Sequence, residues 1–360
     1  MTTLTRASNE WSSRPADQRF ASLPALHDAV LSHRNAAGVA RVPFRTLHAQ
    51  ARDGAVMLNG RTDTTAHLTN WAFTQLAQRA GAPGSYLATL PATLAVQCLN
   101  DGLAKRAADG DAAEDALILF DKGETLTARA ITTDRYTRIW NSDVTSRLLR
   151  IASDGHWQPA PAAFDGSRGL YASDQDMFAF LVDSDRRIFE SLPGGGLSRG
   201  FFVWNSEVGA AAFGICTFLY EYVCGNHRVW GAKEISELRI RHTGTADERA
   251  YRGLTAELRK YAEASASDDV ARITAARTFK LGDDKDAVLD AVFALKVAGI
   301  TRKLAEASYT RAVEHSDRYG DPRTAWAIAG GMTELSQELP NASERVAIDR
   351  AAGKVMAVAF

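Results

Sequence analysis

Residues 199–231 read RGFFVWNSEVGAAAFGICTFLYEYVCGNHRVWG, a block with very few charges in which two apolar stretches flank a polar turn. Before the turn the apolar residues Phe201 and Val203 are two positions apart, and after it Phe213 and Ile215 have the same spacing. Such alternation is typical of β-strands. The segment NSEVG, residues 205–209, has the residue types that favour turns. The block therefore predicts a buried hairpin at the centre of a sheet.

Two more hairpins are predicted on the N-terminal side of this block. Asp53-Gly54 separates HAQAR from AVMLN, and Lys122-Gly123 separates ALILF from TLTARAIT. Asp-Gly is favoured where both central residues of a turn need positive φ. Helices are predicted after the capping residues Ser22 and Thr69, over residues 91–108, and from a cap at Asn141 or Ser142 through Ile151. In the helix over 91–108 we expect Leu94 and Cys98 to face inward.

The pattern changes after Thr243-Gly244, from alternation to apolar residues spaced three and four apart. Six helices are predicted from there on, over residues 246–264, 268–279, 284–297, 301–315, 322–338 and 343–358. The predicted fold class is α+β: an antiparallel, hairpin-rich sheet packed with helices, followed by an all-helical C-terminal domain. We predict a mobile N-terminal arm over 1–20, a core domain over 21–244 and a helical domain over 245–360.

Composition limits the classes of function. The 360 residues contain 42 Lys and Arg against 43 Asp and Glu, a net charge of −1, so any surface for nucleic acid must be local. The three cysteines, with no signal peptide and no apolar run of membrane-spanning length, predict a cytoplasmic protein without disulfides or contact with a membrane.

Three segments resemble one protein family. The first is the pairing of NSEVG, residues 205–209, with YVCGNHRVWG, residues 222–231; the others are TTDRYTRIW, residues 132–140, and TAWAIAGGMTEL, residues 324–335. Together they resemble the phage and plasmid proteins grouped as domain of unknown function 932. The resemblance implies a mobile genetic element as the source, but no reaction. One departure is Gly330-Gly331, which stands where the family tends to have Asn-Ala.

The central block contains residue types that could bind a metal or act in catalysis. Cys216, Cys224 and His227 are the grouping with metal-ligand residue types, but a structural zinc site needs four ligands, so we expect no metal and no cofactor. Ser206, Glu207 and His227 leave open a hydrolase or nuclease, although no nucleophile elbow and no H-E-x-x-H occur. We expect no enzymatic activity.

Arginines beside aromatic rings suggest a surface for single-stranded nucleic acid, because bases stack on rings while cations follow the phosphates. The candidate residues lie on two strands and their turns: Arg135, Tyr136, Arg138, Trp204, His227, Arg228, Trp230 and Lys233. The alternative for each is a packed ring or an internally paired arginine.

The leading hypothesis is a non-enzymatic protein of a mobile element that binds single-stranded DNA in recombination or replication. Phage single-strand annealing proteins resemble it in predicted architecture, which does not fix function. The alternatives are a module that binds a host protein and, third, the hydrolase or nuclease. We also expect several copies of the chain to assemble with one another.

Overall fold

The computed structural model describes residues 15–59, 65–109, 115–159, 169–183, 185, 187–188, 196–221, 226–228, 238–263, 266–296, 300–338 and 342–360. For residues 154, 216, 218–221, 226–228, 262–263, 266, 268, 336–338, 342–347 and 349–350 only the backbone is described. Within these ranges the chain forms two β-sheets and helices that cover them, so the predicted α+β class is confirmed.

Sheet 1 contains the first six described strands, in the order β1-β5-β6-β4-β3-β2. Their bounds are β1 Ala37–Pro43, β2 His48–Arg52, β3 Ala55–Asn59, β4 Thr65–Leu68, β5 Asp115–Lys122 and β6 Leu126–Thr133. Both predicted hairpins are present, and Asp53 and Gly54 have φ of 51° and 78°, as their turn requires. β4 pairs with β6 in parallel, so the sheet is mixed.

Sheet 2 contains the other seven described strands, in the order β12-β11-β10-β9-β7, with β13 also on β11 and β8 also on β9. Their bounds are β7 Trp157–Pro159, β8 Leu170–Ala172, β9 Met177–Asp183, β10 Leu197–Asn205, β11 Phe213–Glu221, β12 Asn226–Arg228 and β13 Leu238–Ile240. The hairpin predicted from the central block is β10–β11, and it lies in the middle of this sheet.

The described helices alternate with the strands in the first half and follow one another in the second. They are α1 Leu23–Ala36, α2 Asn70–Arg79, α3 Gly84–Leu87, α4 Ala92–Ala108, α5 Asn141–Ile151, α6 Ala246–Glu263, α7 Ala266–Thr278, α8 Lys285–Ala294, α9 Arg302–Glu314, α10 Ser316–Tyr319, α11 Ala325–Glu338 and α12 Ala342–Ala357. Ser22 and Thr69 accept hydrogen bonds from Ala25 and Ala72, which confirms both predicted caps.

One face of sheet 2 forms a core with helices. Phe201, Val203, Phe213 and Ile215 are fully buried on it and share a cluster with residues of α1, α5 and α6. On β10 and the neighbouring strands, intervening residues point to the opposite face as a row of neighbouring aromatic rings: Tyr171, Phe178, Phe202 and Trp204. The Trp204 ring covers Gly214 opposite it, where a Cβ atom would lie 2.0 Å from the ring.

Some local predictions need correction. Leu94 and Cys98 of α4 are exposed, because the buried stripe of this helix consists of Ala95, Leu99 and Leu103. Within the predicted arm, residues 15–20 are not loose: the backbone N–H of Phe20 donates to the carbonyl of Leu170 in β8. Residues 1–14 lie outside the described chain.

The domain boundary near residue 244 remains a prediction. In packing, α6 belongs with sheet 2, since Ala250 and Leu254 lie in the same cluster as Phe201. A second cluster is centred on α11, with Trp326 and Met332 packed among residues of α8, α9 and α12. Arg199 of β10 joins the two halves through an ion pair of 2.8 Å with Asp269 of α7.

Ile215 provides a test of the sheet core. Ile215→Ala removes buried methyl groups from the centre of sheet 2, so we expect a loss of about 2–5 kcal/mol in the free energy of unfolding. Val39→Ala on the edge strand β1 is the control, because Val39 is 52% exposed. Chemical denaturation measures both. Equal small losses would contradict the assigned inward face of β11.

Gly331 tests the contact between α11 and α9. Replacing glycine with alanine normally stabilises a helix, but here the new Cβ would lie 2.2 Å from the backbone carbonyl oxygen of Ser308. We therefore expect Gly331→Ala to destabilise the protein by about 1–3 kcal/mol in thermal or chemical unfolding. An increase in stability would show that the two helices are further apart than this.

Candidate functional site

The turn between β10 and β11 is buried between the two sheets, although its residues are polar. Asn205, Ser206 and Glu207 are at most 2% exposed. Val208 packs against Leu119 and Ala130 of sheet 1. Its carbonyl accepts hydrogen bonds from two side chains of α2, Trp71 at 2.9 Å and Gln75 at 2.8 Å. The turn therefore attaches sheet 2 to sheet 1.

The same turn holds the beginning of α5. The backbone N–H of Asn141 donates to Glu207 Oε1 at 2.8 Å, so a carboxylate distant in sequence caps the helix. Asn205 Nδ2 donates to the carbonyl of Ile139 and to Asn141 Oδ1, each at 2.7 Å. The sequence predicted Asn141 or Ser142 as the cap; instead Trp140 occupies that position and makes no side-chain capping bond.

Buried charge is balanced within this turn. Glu207 Oε2 lies 3.5 Å from Arg129 Nη1, and both side chains are almost completely buried. Arg129 also donates to the carbonyl of Asp174 at 3.2 Å. Arg138 donates to the backbone carbonyl of Glu207. A buried carboxylate needs such partners, because without them its desolvation would cost several kcal/mol.

Tyr136 and His242 close the other side of the turn. Their rings stack with centroids 4.9 Å apart, and the Tyr136 hydroxyl donates to the carbonyl of Ser206 at 2.9 Å. Burial raises the pKa of the Tyr136 hydroxyl. Burial also lowers the pKa of His242 to about 4, so this imidazole is neutral at pH 7. His242 Nδ1 lies 3.1 Å from the carbonyl of Thr137, whereas Nε2 is buried and has no hydrogen-bond partner among the described residues.

We call this arrangement the polar clamp, comprising the turn residues Asn205, Ser206, Glu207 and Val208 and their partners Arg129, Tyr136, Arg138 and Asn141. Ser206 Oγ donates to the carbonyl of Gln175 at 2.6 Å and accepts from the N–H of Ala210 at 2.9 Å. Its hydroxyl is thus used within the turn. The geometry gives Ser206 and Glu207 structural roles and does not favour their use as a nucleophile and base.

The eight predicted nucleic-acid residues occupy different environments. Tyr136 and Arg138 belong to the clamp, Trp204 is 4% exposed in the aromatic row, and Arg135 is exposed. The backbone of His227 and Arg228 forms β12 beside β11. Their side chains, and all of Trp230 and Lys233, lie outside the description. Nucleic-acid binding by the eight therefore stays a prediction.

Metal binding at Cys216, Cys224 and His227 cannot be compared with the structure, since these side chains are outside its description. Within the part of the chain that is described, no three His, Cys, Asp or Glu residues are grouped so that they could hold a metal ion. No helix in the described ranges is long and apolar enough to cross a bilayer.

A cleft between α5 and α6 was missed by the sequence analysis. It has a volume of about 450 Å³, within the roughly 300–1,000 Å³ of pockets that hold small ligands. We call it the arginine cleft. Its described lining residues are Arg147, Arg150, Ile151, Trp157, Thr255, Leu258 and Arg259. None of these is acidic, and Trp157 and Leu258 are buried apolar residues at its wall.

Arg147 is held in a fixed position at this cleft. Its guanidinium lies 3.8 Å from the centroid of the Tyr251 ring and donates to the carbonyl of Asp143 at 2.9 Å. The Tyr251 hydroxyl donates in turn to Asp143 Oδ2 at 2.9 Å. In the sequence, the spacing of Arg147 with Arg150 and of Thr255 with Arg259 places each pair on one helical face, but it does not show that the two helices meet.

The clamp and the cleft both lie in the region that identifies the protein class. The family model described as Domain of unknown function (DUF932) matches residues 129–338, more than half of the chain. This protein belongs to that family. No match was found among curated proteins or among solved structures. The match starts at Arg129 of the clamp and includes every residue of the arginine cleft.

Glu207→Gln tests the clamp. Glutamine keeps an oxygen for the N–H of Asn141 but removes the charge opposite Arg129, and breaking a buried ion pair costs about 3–5 kcal/mol. We expect a loss of that size in chemical denaturation. The control is Glu248→Gln, since Glu248 and Arg252 form an exposed pair at 3.7 Å. Adding Arg129→Met to Glu207→Gln should recover part of the lost stability. If the losses of the two single variants simply add in the double variant, Glu207 and Arg129 are not coupled.

His242 predicts a pH dependence of stability. Its pKa is about 4 in the folded state and about 6.5 when unfolded, so the unfolded chain binds the proton more tightly. Its contribution is complete above pH 6.5 and is lost as the pH falls towards 4. At pH 4.5 the loss relative to pH 7 is about 2–3 kcal/mol.

The measurement compares the free energy of unfolding at the two pH values in wild type and in His242→Phe. Phenylalanine keeps a ring to stack on Tyr136 but has no titrating group. We expect the variant to lose less stability on acidification than wild type. The same loss in both proteins would show that other groups cause the acid sensitivity.

Proposed function

We propose that this protein binds single-stranded DNA without changing it chemically, in recombination or replication for a mobile genetic element. The observation that carries the proposal is the arginine cleft. Three arginines from two packed helices line one cavity that contains no described carboxylate. Arginine suits phosphate ligands, as it suits carboxylates, because its planar guanidinium donates two parallel hydrogen bonds.

The location of the cleft supports contact with an extended strand. Arg150 of α5 and Arg259 of α6, which line the cleft, are both exposed to solvent. Local positive charge of this kind suits a protein with a net charge of −1, which lacks any general attraction for nucleic acid. The predicted residues Arg228, Trp230 and Lys233 would add phosphate contacts and a stacking ring at another point along the bound DNA strand.

Salt dependence of binding tests the proposal. We expect a fluorescently end-labelled oligonucleotide to bind with an affinity that falls with salt, since each neutralised phosphate adds about −0.7 to the log–log slope for single strands. Arg150→Gln/Arg259→Gln removes two contacts and should make the slope shallower by about 1.4. Fluorescence anisotropy over a salt series measures this.

The matched control is Arg52→Gln/Arg302→Gln. It removes the same net charge at exposed arginines on β2 and α9. We expect its slope to equal that of wild type. If wild type shows no salt-sensitive binding to single-stranded DNA at low ionic strength, the proposed function is wrong.

The residues predicted from sequence enter as two further variants. Arg228→Ala/Lys233→Ala should also make the slope shallower, whereas Trp230→Ala should cost about 1–3 kcal/mol of binding free energy with the slope nearly unchanged, because a stacking ring carries no charge. If neither variant differs from wild type, these residues lie outside the interface. A module that binds a host protein is the second candidate, and failure of DNA binding would favour it.

A further inference from the structure

We infer that the arginine cleft holds the terminal phosphate of a DNA strand, a phosphate monoester, in preference to the diesters along the strand. The inference rests on the proposed function and adds to it the chemical group recognised. The walls of the cleft are formed by α5, by α6 and by Trp157 of β7. Its described lining consists of seven residues. Such a cavity suits a chain end better than a continuous backbone.

Charge gives the first argument. Within the described lining, the charged residues are Arg147, Arg150 and Arg259. A diester carries one negative charge, whereas a monoester carries about −1.5 to −2 at pH 7 and presents three acceptor oxygens. A cavity lined by three arginines therefore matches the monoester more closely. Each charge-assisted hydrogen bond that the third oxygen gains is stronger than a neutral one.

The walls of the cleft give the second argument. Trp157 and Leu258 are buried and apolar, and Trp157 contacts the rings of Phe201 and Tyr261 behind it. Apolar walls exclude water from one side of the cavity, which strengthens the attraction between a doubly charged group and Arg147, the least exposed of the three arginines. Because Trp157 packs into the core, it is a wall of the cavity and not a surface for stacking a base.

Preorganisation gives the third argument. Asp143 holds the Tyr251 hydroxyl, and the Tyr251 ring and the carbonyl of Asp143 hold Arg147. Asp143 itself is fixed by Arg34, at 2.5 Å. Arg147 consequently loses little side-chain freedom when a ligand binds, which lowers the cost of binding. Tyr251 is thus a positioning residue for the cleft.

The experiment compares unlabelled twelve-nucleotide oligothymidylates as competitors for a labelled strand bound to the full-length protein. One competitor has a 5′-phosphate, one a 3′-phosphate and one hydroxyl groups at both ends. We expect a phosphorylated end to compete about tenfold better, equivalent to about 1.4 kcal/mol. The two phosphorylated strands show which end is preferred. The advantage should decrease from pH 7.5 to pH 5, because the second ionisation of a monoester has a pKa of about 6.

Variants assign the effect to the cleft. Arg150→Gln and Arg259→Gln should each remove most of the advantage of the phosphorylated end, while Arg302→Gln should leave it unchanged. Tyr251→Phe keeps the ring under Arg147 but loses the hydroxyl bond to Asp143. It should reduce the advantage of the phosphorylated end at pH 7.5, whereas a matched Tyr309→Phe control should leave that advantage unchanged.

Calorimetry with thymidine 5′-monophosphate separates the two proposals. Equal competition by all three strands would overturn the inference about the cleft and leave DNA binding intact. Binding of the monophosphate that depends on Arg259, with no binding of any strand, would support the cleft as a monoester site and overturn the DNA function. Absence of both would overturn both.

Discussion

The buried carboxylate of Glu207 is the group on which the arrangement of the two sheets depends. It caps α5 through the N–H of Asn141 and forms an ion pair with Arg129 of sheet 1, while its own backbone belongs to the turn of sheet 2. A negative charge at the start of a helix is also favourable for the helix dipole. One side chain thus joins a helix and both sheets, and a neutral replacement could satisfy the geometry only in part.

This role gives a physical reason for the Asn-Ser-Glu turn of the family pattern. Asn205 satisfies the carbonyl of Ile139, and Ser206 ties its own turn to Gln175 and Ala210. The Arg-Tyr pattern at 135–136 supplies the ring whose hydroxyl reaches the carbonyl of Ser206. Motifs that look catalytic in sequence, with Ser, Glu and Asn adjacent, here satisfy buried polar groups at a junction. Their chemistry is used for assembly.

Local rules predicted most of the elements but not the contacts between them. The Asp53-Gly54 turn and the caps Ser22 and Thr69 act within a few residues, so the sequence was sufficient for them. The cap of α5 comes from a residue more than sixty positions away, which propensity cannot show. For the same reason Arg138 and Trp204 looked like surface residues, although tertiary packing turns both inward.

The arginine cleft could not be predicted because it depends on how α5 and α6 pack. Yet α5 connects it to the clamp: Asn141 at one end is fixed by Glu207, and Arg147 and Arg150 near the other end line the cleft. Over these ten residues the helix rises about 15 Å, so a small rotation at the capped end displaces the arginines. A clamp substitution would therefore weaken ligand binding without touching the ligand. Loss of binding in a clamp variant consequently cannot identify the clamp as the binding site, whereas loss in a cleft variant of unchanged stability can identify the cleft.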